Sequence, residues 1–397
     1  IIRALSQFDY ETIKESINAQ LDSDDIPVSI EAAQFFVDKG IGKDATSYWR
    51  RAKDTLPWQT QIMMYMAAQR HLPGFYAQYR GPLNSELNRR FRNSENSFEK
   101  AATLNALAEF GWNYKNIFEQ TFNSPDPVVR AAGMNALRKI SSKEDFNRFF
   151  GLGTRRANRD LYAYFTSAIQ SKDPTLIAIA SSALRNPERI YRTLADSLKY
   201  VDTLMTELSS PSERSAYNQL GQTKAFLMGQ EDSWEDKTMK DTNSIDWSLL
   251  NTFTVQPQAL IRTSKGVITI TLLPSVAPAT VASFIKQVQS EYYNGMPIHR
   301  VVPNFVIQTG SERGDGYSSV NFRLRSEFTP LHYDSEGYVG MASSGKDTET
   351  VQFFITHSPT PHLDGRYTIF GKVIDGMEFV HSTEIGDVVQ EIRIIEQ

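Results

Sequence analysis

No cysteine occurs among the 397 residues, which excludes disulfides and thiolate chemistry. Such a chain is compatible with the cytoplasm or with a bacterial cell-envelope space such as the periplasm, so its compartment stays unknown. There is also no run approaching the ~18 consecutive apolar residues of a membrane-spanning helix. Basic residues are not in excess: 42 Lys and Arg stand against 46 Asp and Glu, for a net charge of −4, so no nucleic-acid partner is expected. Hydrophobic content of 40% and charged content of 22% fit a soluble chain of two or three domains. Methionine does not stand first; the chain opens on Ile1. The expectation is a processed or truncated product whose targeting signal is out of view.

What is present divides by periodicity. Residues 1–229 read as helix throughout, and "SPDPVVRAAGMNALRKI" from Ser124 returns as "SKDPTLIAIASSALRNP" from Ser171. A shift of 47 residues superposes Asp126 on Asp173, Pro127 on Pro174, and Ala136-Leu137-Arg138 on Ala183-Leu184-Arg185. Each aspartate can accept hydrogen bonds from the free amides of a helix start, and each proline fits the first helical position, where its missing N–H is not needed. Weaker echoes begin at Asp24, Leu56 and Ser210. Irregular spacings of roughly 30 to 50 residues occur in stacked helical repeats, and this region resembles a HEAT-type array, the alternative being a non-repetitive helical domain. Residues 230–258 are polar and acidic and read as a linker, pinned to a domain surface by Trp234 and Trp247.

From Ala259 the alternation switches to strand period. "ALIRT" and "VITITLL" flank a "SKG" turn in which Gly266 takes a positive φ, and "APATVASFIKQVQ" follows as a helix with Pro278 near its start. Six further short strands follow, at "HRVV", "NFVIQT", "GYVGMA", "VQFFITH", "TIFGKVI" and "VVQEIRIIE". A closed β-barrel over 259–397 is expected.

One segment is chemically odd. "IHRVVPNFVIQTG", residues 298–310, sets a permanent cation, Arg300, and an amide, Gln308, into an apolar run. Together with "AP.T...F" (277–284), "GYVGMA" (337–342), "QFFI" (352–355), "HLDGRYTIFGKV" (362–373) and "DGME" (375–378), it resembles the cyclophilin-type peptidyl-prolyl cis-trans isomerase signature. The resemblance implies that Arg300 and Gln308 are the catalytic pair. It also implies that His299, Phe305, Val306, Met341, Ala342, Ser343, Gln352, Phe354, His362, Leu363 and Tyr367 bind a proline-containing polypeptide. Rotation about an X-Pro bond needs no nucleophile, metal or cofactor, and none is expected. A guanidinium hydrogen-bonded to the pyramidal amide nitrogen in a dry site would suffice.

There are departures from that pattern. "ASSGKDTETVQFF" stands where the family usually has "ANxGPNTNGSQFF", Tyr367 stands where histidine is usual, and His362 occupies the tryptophan position of cyclosporin-sensitive members. "GMASSGKD" approximates a phosphate loop, but Asp347 occupies the position of its serine or threonine and a strand follows, so nucleotide is not expected. "RGD" at 313–315 reads as a loop tripeptide, and the scattered histidines lack metal-ligand spacing. Two functions follow. The first is an isomerase whose helical array recruits clients or a protein partner; the second is a proline-peptide-binding scaffold with little turnover. Such array–barrel chains resemble bacterial envelope or cytoplasmic proteins.

Overall fold

The structure, a computed structural model, describes residues 2–5, 7–74, 77–195, 197–208, 213–231, 234–235, 245–317, 320 and 322–395. They form two compact units, one of Ile1–Leu208 with Ala216–Asp236, the other of Lys237–Gln397 with Ser209–Ser215.

The first unit is all helical. Its helices of eight residues or more are α1 Tyr10–Ala19, α2 Ile26–Lys39, α3 Trp58–His71, α4 Ala77–Asn93, α5 Ser97–Leu107, α6 Tyr114–Thr121, α7 Pro127–Ser141, α8 Thr154–Gln170, α9 Pro174–Leu184, α10 Lys199–Glu207 and α11 Arg214–Met228. One row runs α2, α3, α5, α7, α9, each helix packed on the next, while α4, α6 and α8 pack on α5, α7 and α9 as a second layer. Leu104, Ile117, Leu137, Leu161, Phe165 and Ile177 are fully buried between the layers. Each such side chain contributes about 1.5–3 kcal/mol.

The Asp-Pro starts do what their chemistry allows. Asp126 Oδ1 accepts from Val128 N at 2.9 Å and Asp173 Oδ1 from Thr175 N at 3.0 Å, with Pro127 and Pro174 in the first turn. The second oxygen of each ties the row together. Ser97 of α5 donates its hydroxyl to Asp126, and Arg130 of α7 pairs with Asp173 at 3.1 Å. Gly133 permits the close approach of α6, since a Cβ there would overlap the Thr121 side chain. Of the weaker echoes, those from Asp24 and Leu56 fall on α2 and α3; that from Ser210 begins outside the described residues.

Among the described residues the second unit holds nine strands: β1 Gln258–Thr263, β2 Val267–Leu272, β3 Met296–Pro297, β4 Arg300–Val302, β5 Val306–Thr309, β6 Tyr338–Met341, β7 Phe353–Thr356, β8 Ile369–Asp375 and β9 Val388–Ile395. They form one antiparallel sheet in the order β3-β9-β1-β2-β8-β6-β7-β5-β4. The strands at its two ends are consecutive pieces of one segment. Ile298 N donates to Asp387 O at 2.7 Å, and His299 N to Gln308 O at 3.1 Å. That segment bonds to both edges of the sheet, which curls into a half-barrel. Ile261, Ile270, Ile307, Val339, Phe353 and Phe370 fill the interior with Phe284 of α12 (Pro278–Gln289), whose ring lies 5.6 Å from that of Phe353. Glu327 caps α12 from a distance, accepting from Ala279 N and Thr280 N at 3.0 and 2.9 Å.

Gly266 takes a positive φ of 159°, as expected, and a side chain is excluded there by the Phe379 ring, which a Cβ would approach to 2.5 Å. One local expectation needs correction. Trp234 does pack, lying over Gly221 and near Tyr217, but Trp247 is 56% exposed. Leu250 holds that stretch to the half-barrel instead, helped by the Asp246–Lys286 ion pair at 2.7 Å.

Candidate active site

The β4–β5 hairpin turns through Pro303-Asn304-Phe305, with Asn304 in the left-handed region at φ 57°. Its register sets Arg300 opposite Gln308, and β5 in turn sets Gln308 opposite Phe354 of β7. Directly opposed residues share a sheet face, so the cation, the amide and the phenyl ring come together although 54 residues of sequence separate the first from the last.

A relay of side chains fixes the cation. Arg300 Nη1 donates to Gln308 Oε1 at 3.3 Å, Gln308 Nε2 to Gln352 Oε1 at 3.0 Å, and Gln352 Nε2 to Gly316 O at 3.0 Å. Each amide accepts on one side and donates on the other, so the direction of the chain is set by its anchor at Gly316. The guanidinium carbon lies 5.8 Å from the Phe305 ring centre. The arginine is exposed to approaching ligand yet braced on two sides. Partial desolvation lowers its pKa, but an arginine stays a cation at any physiological pH.

Beside it lies an apolar cluster on the outer sheet face, separate from the barrel interior. Val306, Phe354 and Leu363 are buried there with Tyr333 and Ile369, and Phe305, Ala342 and Tyr367 border it. Tyr367 stands edge-on to Phe354 at 5.8 Å, and His362, exposed, lies 5.2 Å from Phe305. Ala342 N donates to Gln352 O at 2.9 Å, leading into Ser343 and a groove walled also by Tyr317, Phe322 and Thr348.

Two of the expected site residues sit elsewhere. Met341 points into the barrel interior with Ile307 and Phe353, because strand alternation gives the outer face to Gly340 and Ala342. Its side chain cannot touch a ligand on Arg300. His299 packs beside Gly316 with both ring nitrogens buried and, among the described residues, unpartnered; burial, then Arg300, lowers its pKa to about 4. It is a neutral ring off the relay.

Sequence reading missed Tyr333, Gly340 and Gly316. Tyr333 comes from an irregular stretch outside every motif block, yet it is fully buried behind Phe354 at 5.9 Å. Gly340 leaves room for both rings, since a Cβ there would lie 2.2 Å from Tyr333 Oη and 2.4 Å from Phe354 Cζ. Of the rejected motifs, Asp347 of the phosphate-loop look-alike exchanges hydrogen bonds with Ser326, and Arg313 pairs with Asp315 at 3.0 Å.

Residues 259–396 match the family model described as cyclophilin type peptidyl-prolyl cis-trans isomerase/CLD. Peptidyl-prolyl cis-trans isomerase B of Bacillus subtilis is 43% identical over 125 residues, which are 31% of this chain and 87% of that protein. A peptidyl-prolyl cis-trans isomerase of Synechococcus elongatus is 36% identical over 140 residues, 35% of this chain and 96% of that one. A solved Cryptosporidium parvum cyclophilin type peptidyl-prolyl cis-trans isomerase is 31% identical, covers 36% of this chain and 99% of its own, and has a TM-score of 0.34. The helical unit up to Met228 lies outside the family match. Through its half-barrel, the chain belongs to the family of cyclophilin-type peptidyl-prolyl cis-trans isomerases.

Proposed function

We propose that Arg300 is the catalytic group of this isomerase domain, acting on X-Pro bonds in unfolded or flexible polypeptides and so assisting their folding. The observation that carries the reading is the braced guanidinium beside the Val306–Phe354–Leu363 cluster. An amide resists rotation by ~18–20 kcal/mol because its nitrogen lone pair is delocalised. A proline ring seated on the apolar cluster would bring its imide nitrogen toward Arg300, with water displaced from that side. As the bond twists, the nitrogen becomes pyramidal and its lone pair localises, so a fixed N–H donor binds the twisted state more strongly than the planar one. Gln308 keeps the donor aimed, and Tyr367 and His362 close the rim.

The test is isomerisation of a short proline peptide by the full chain and by Arg300→Ala. A donor worth ~3 kcal/mol in the transition state predicts a loss of roughly 100-fold in kcat/KM. Equal rates would leave only the reading of a proline-peptide-binding scaffold.

For the helical unit we propose a HEAT-like array that recruits clients or a protein partner. The support is the repeated capping aspartate, held each time by the preceding helix of the row. Recruitment predicts that a protein whose refolding is limited by proline isomerisation is accelerated at lower enzyme concentration than a short peptide is. Equal requirements for both substrates would count against it.

A further inference from the structure

One surface of the helical unit combines two features that folding does not require. Leu152, in the turn before α8, is 107% exposed, and Trp112 is 43% exposed. The two project from a common aromatic base. Trp112 stands edge-on to Phe150 at 4.8 Å and lies over Gly153, where a Cβ would come within 2.5 Å of its ring. Phe149 packs edge-on against both Phe150 and Phe110, at 5.0 and 5.7 Å. Around Gly151 there is open space. The turn is therefore a firm apolar tip rather than a stray side chain.

The sequence on either side of Leu152 is rich in cations. From Arg148 to Arg159 the sequence carries four arginines and no acidic residue, in a chain whose net charge is −4. Arg148 and Arg156 are 86% and 67% exposed at the side chain, and Arg155 and Arg159 are exposed as well. Asp145 pairs with Arg148 at 3.5 Å, and Asp160 is shared between Lys115 at 3.2 Å and Arg156 at 3.8 Å, which leaves a positive surplus. Arg155 and Arg156 also stand in the first turn of α8, which has no acidic residue, at the positive pole of the helix dipole. Cations are disfavoured there unless something anionic lies opposite.

We propose that Leu152, Trp112 and the surrounding arginines form a tip that docks on an anionic lipid surface. A protruding leucine would enter the boundary of the acyl chains, the tryptophan would sit at headgroup depth, and the guanidiniums would meet lipid phosphates. An acidic protein would meet the same arginines, and the experiment below separates it from lipid. The attachment is peripheral: no helix among the described residues is long and apolar enough to cross a membrane.

The experiment is flotation of the full chain with vesicles of phosphatidylcholine, with and without phosphatidylglycerol. Flotation is expected only with the anionic lipid, weakening as salt is raised, with a blue shift in tryptophan emission that Trp112→Phe removes. Leu152→Ser should lower partitioning about ten-fold. The double variant Arg155→Ser/Arg156→Ser should lower it roughly 25-fold, each arginine being worth about five-fold beside an anionic leaflet. Leu152 is wholly exposed, so thermal melting should be unchanged in Leu152→Ser, and peptide isomerisation should be unchanged in all three variants. Absence of flotation with anionic vesicles overturns the proposal, as does flotation unaffected by these substitutions. Binding to polyglutamate without flotation would overturn it in favour of an acidic protein.

Discussion

Glu349 should make the half-barrel less stable as pH rises from about 4.5 to about 7, and Glu349→Gln should abolish that loss. The residue is 0% exposed. Its carboxyl accepts from the Thr368 hydroxyl at 2.8 and 3.0 Å, and among the described residues no lysine or arginine pairs with it. Glu327 lies near enough to add a like charge. Burial is the largest influence and pushes the carboxyl up from 4.5 to about 7, against the hydrogen bonds from Thr368 and Ser326. A group that binds its proton more tightly when folded adds no penalty below the unfolded value. Stability then falls as pH climbs from 4.5 to about 7 and levels off above that. The interval corresponds to about 3 kcal/mol. A glutamine keeps the acceptor for Thr368 and never ionises. The assay is amide hydrogen exchange of Met341 and Phe353, comparing the two proteins at each pH so that intrinsic exchange cancels. The variant's relative protection should rise roughly 100-fold from acid to mildly alkaline pH. A difference that does not change with pH would refute the reasoning.

Other expectations concern the site and the helical row. Gln308→Leu removes the acceptor that aims Arg300, and kcat/KM should fall about ten-fold, with Gln308→Glu restoring most of it; a leucine variant of normal rate would show that the relay is idle. Gly340→Val forces a side chain into the space of Phe354 and Tyr333. Overpacking of this kind costs about 1–3 kcal/mol, and peptide binding should weaken with it, as a thermal melt and a binding titration would report. Asp173→Ala removes a helix cap and should cost the helical unit about 1 kcal/mol. Arg130→Ala should then add little in the Asp173→Ala background, and an additive double variant would mean that the pair does not couple.

Much of this protein can be read from the sequence because its signals are local. The Asp-Pro starts of α7 and α9 depend only on a side-chain oxygen reaching amides two and three residues on, and both caps form as the spacing requires. Strand alternation likewise puts Arg300, Gln308 and Phe354 within reach of one another, since a period of two fixes the face once the register is known. Met341 shows the limit of motif reading, for membership in a matching block says nothing about which face a side chain takes. Trp247 shows the same limit, since its size favours burial but nothing local says what would cover it.

The order of the half-barrel strands, the approach of Tyr333 to Phe354, and the anchoring of Gln352 on Gly316 O came only with the tertiary structure. So did the placing of Trp112 over Gly153, the neighbour of Leu152, from a different turn of the helical unit. These are contacts between residues distant in sequence, and their free energy depends on how the chain closes, not on any neighbouring residue. Composition, helix starts and the cation set among apolar residues were determined by the sequence alone; which of those residues meet, and which carboxyl is left without a counterion, was decided by packing.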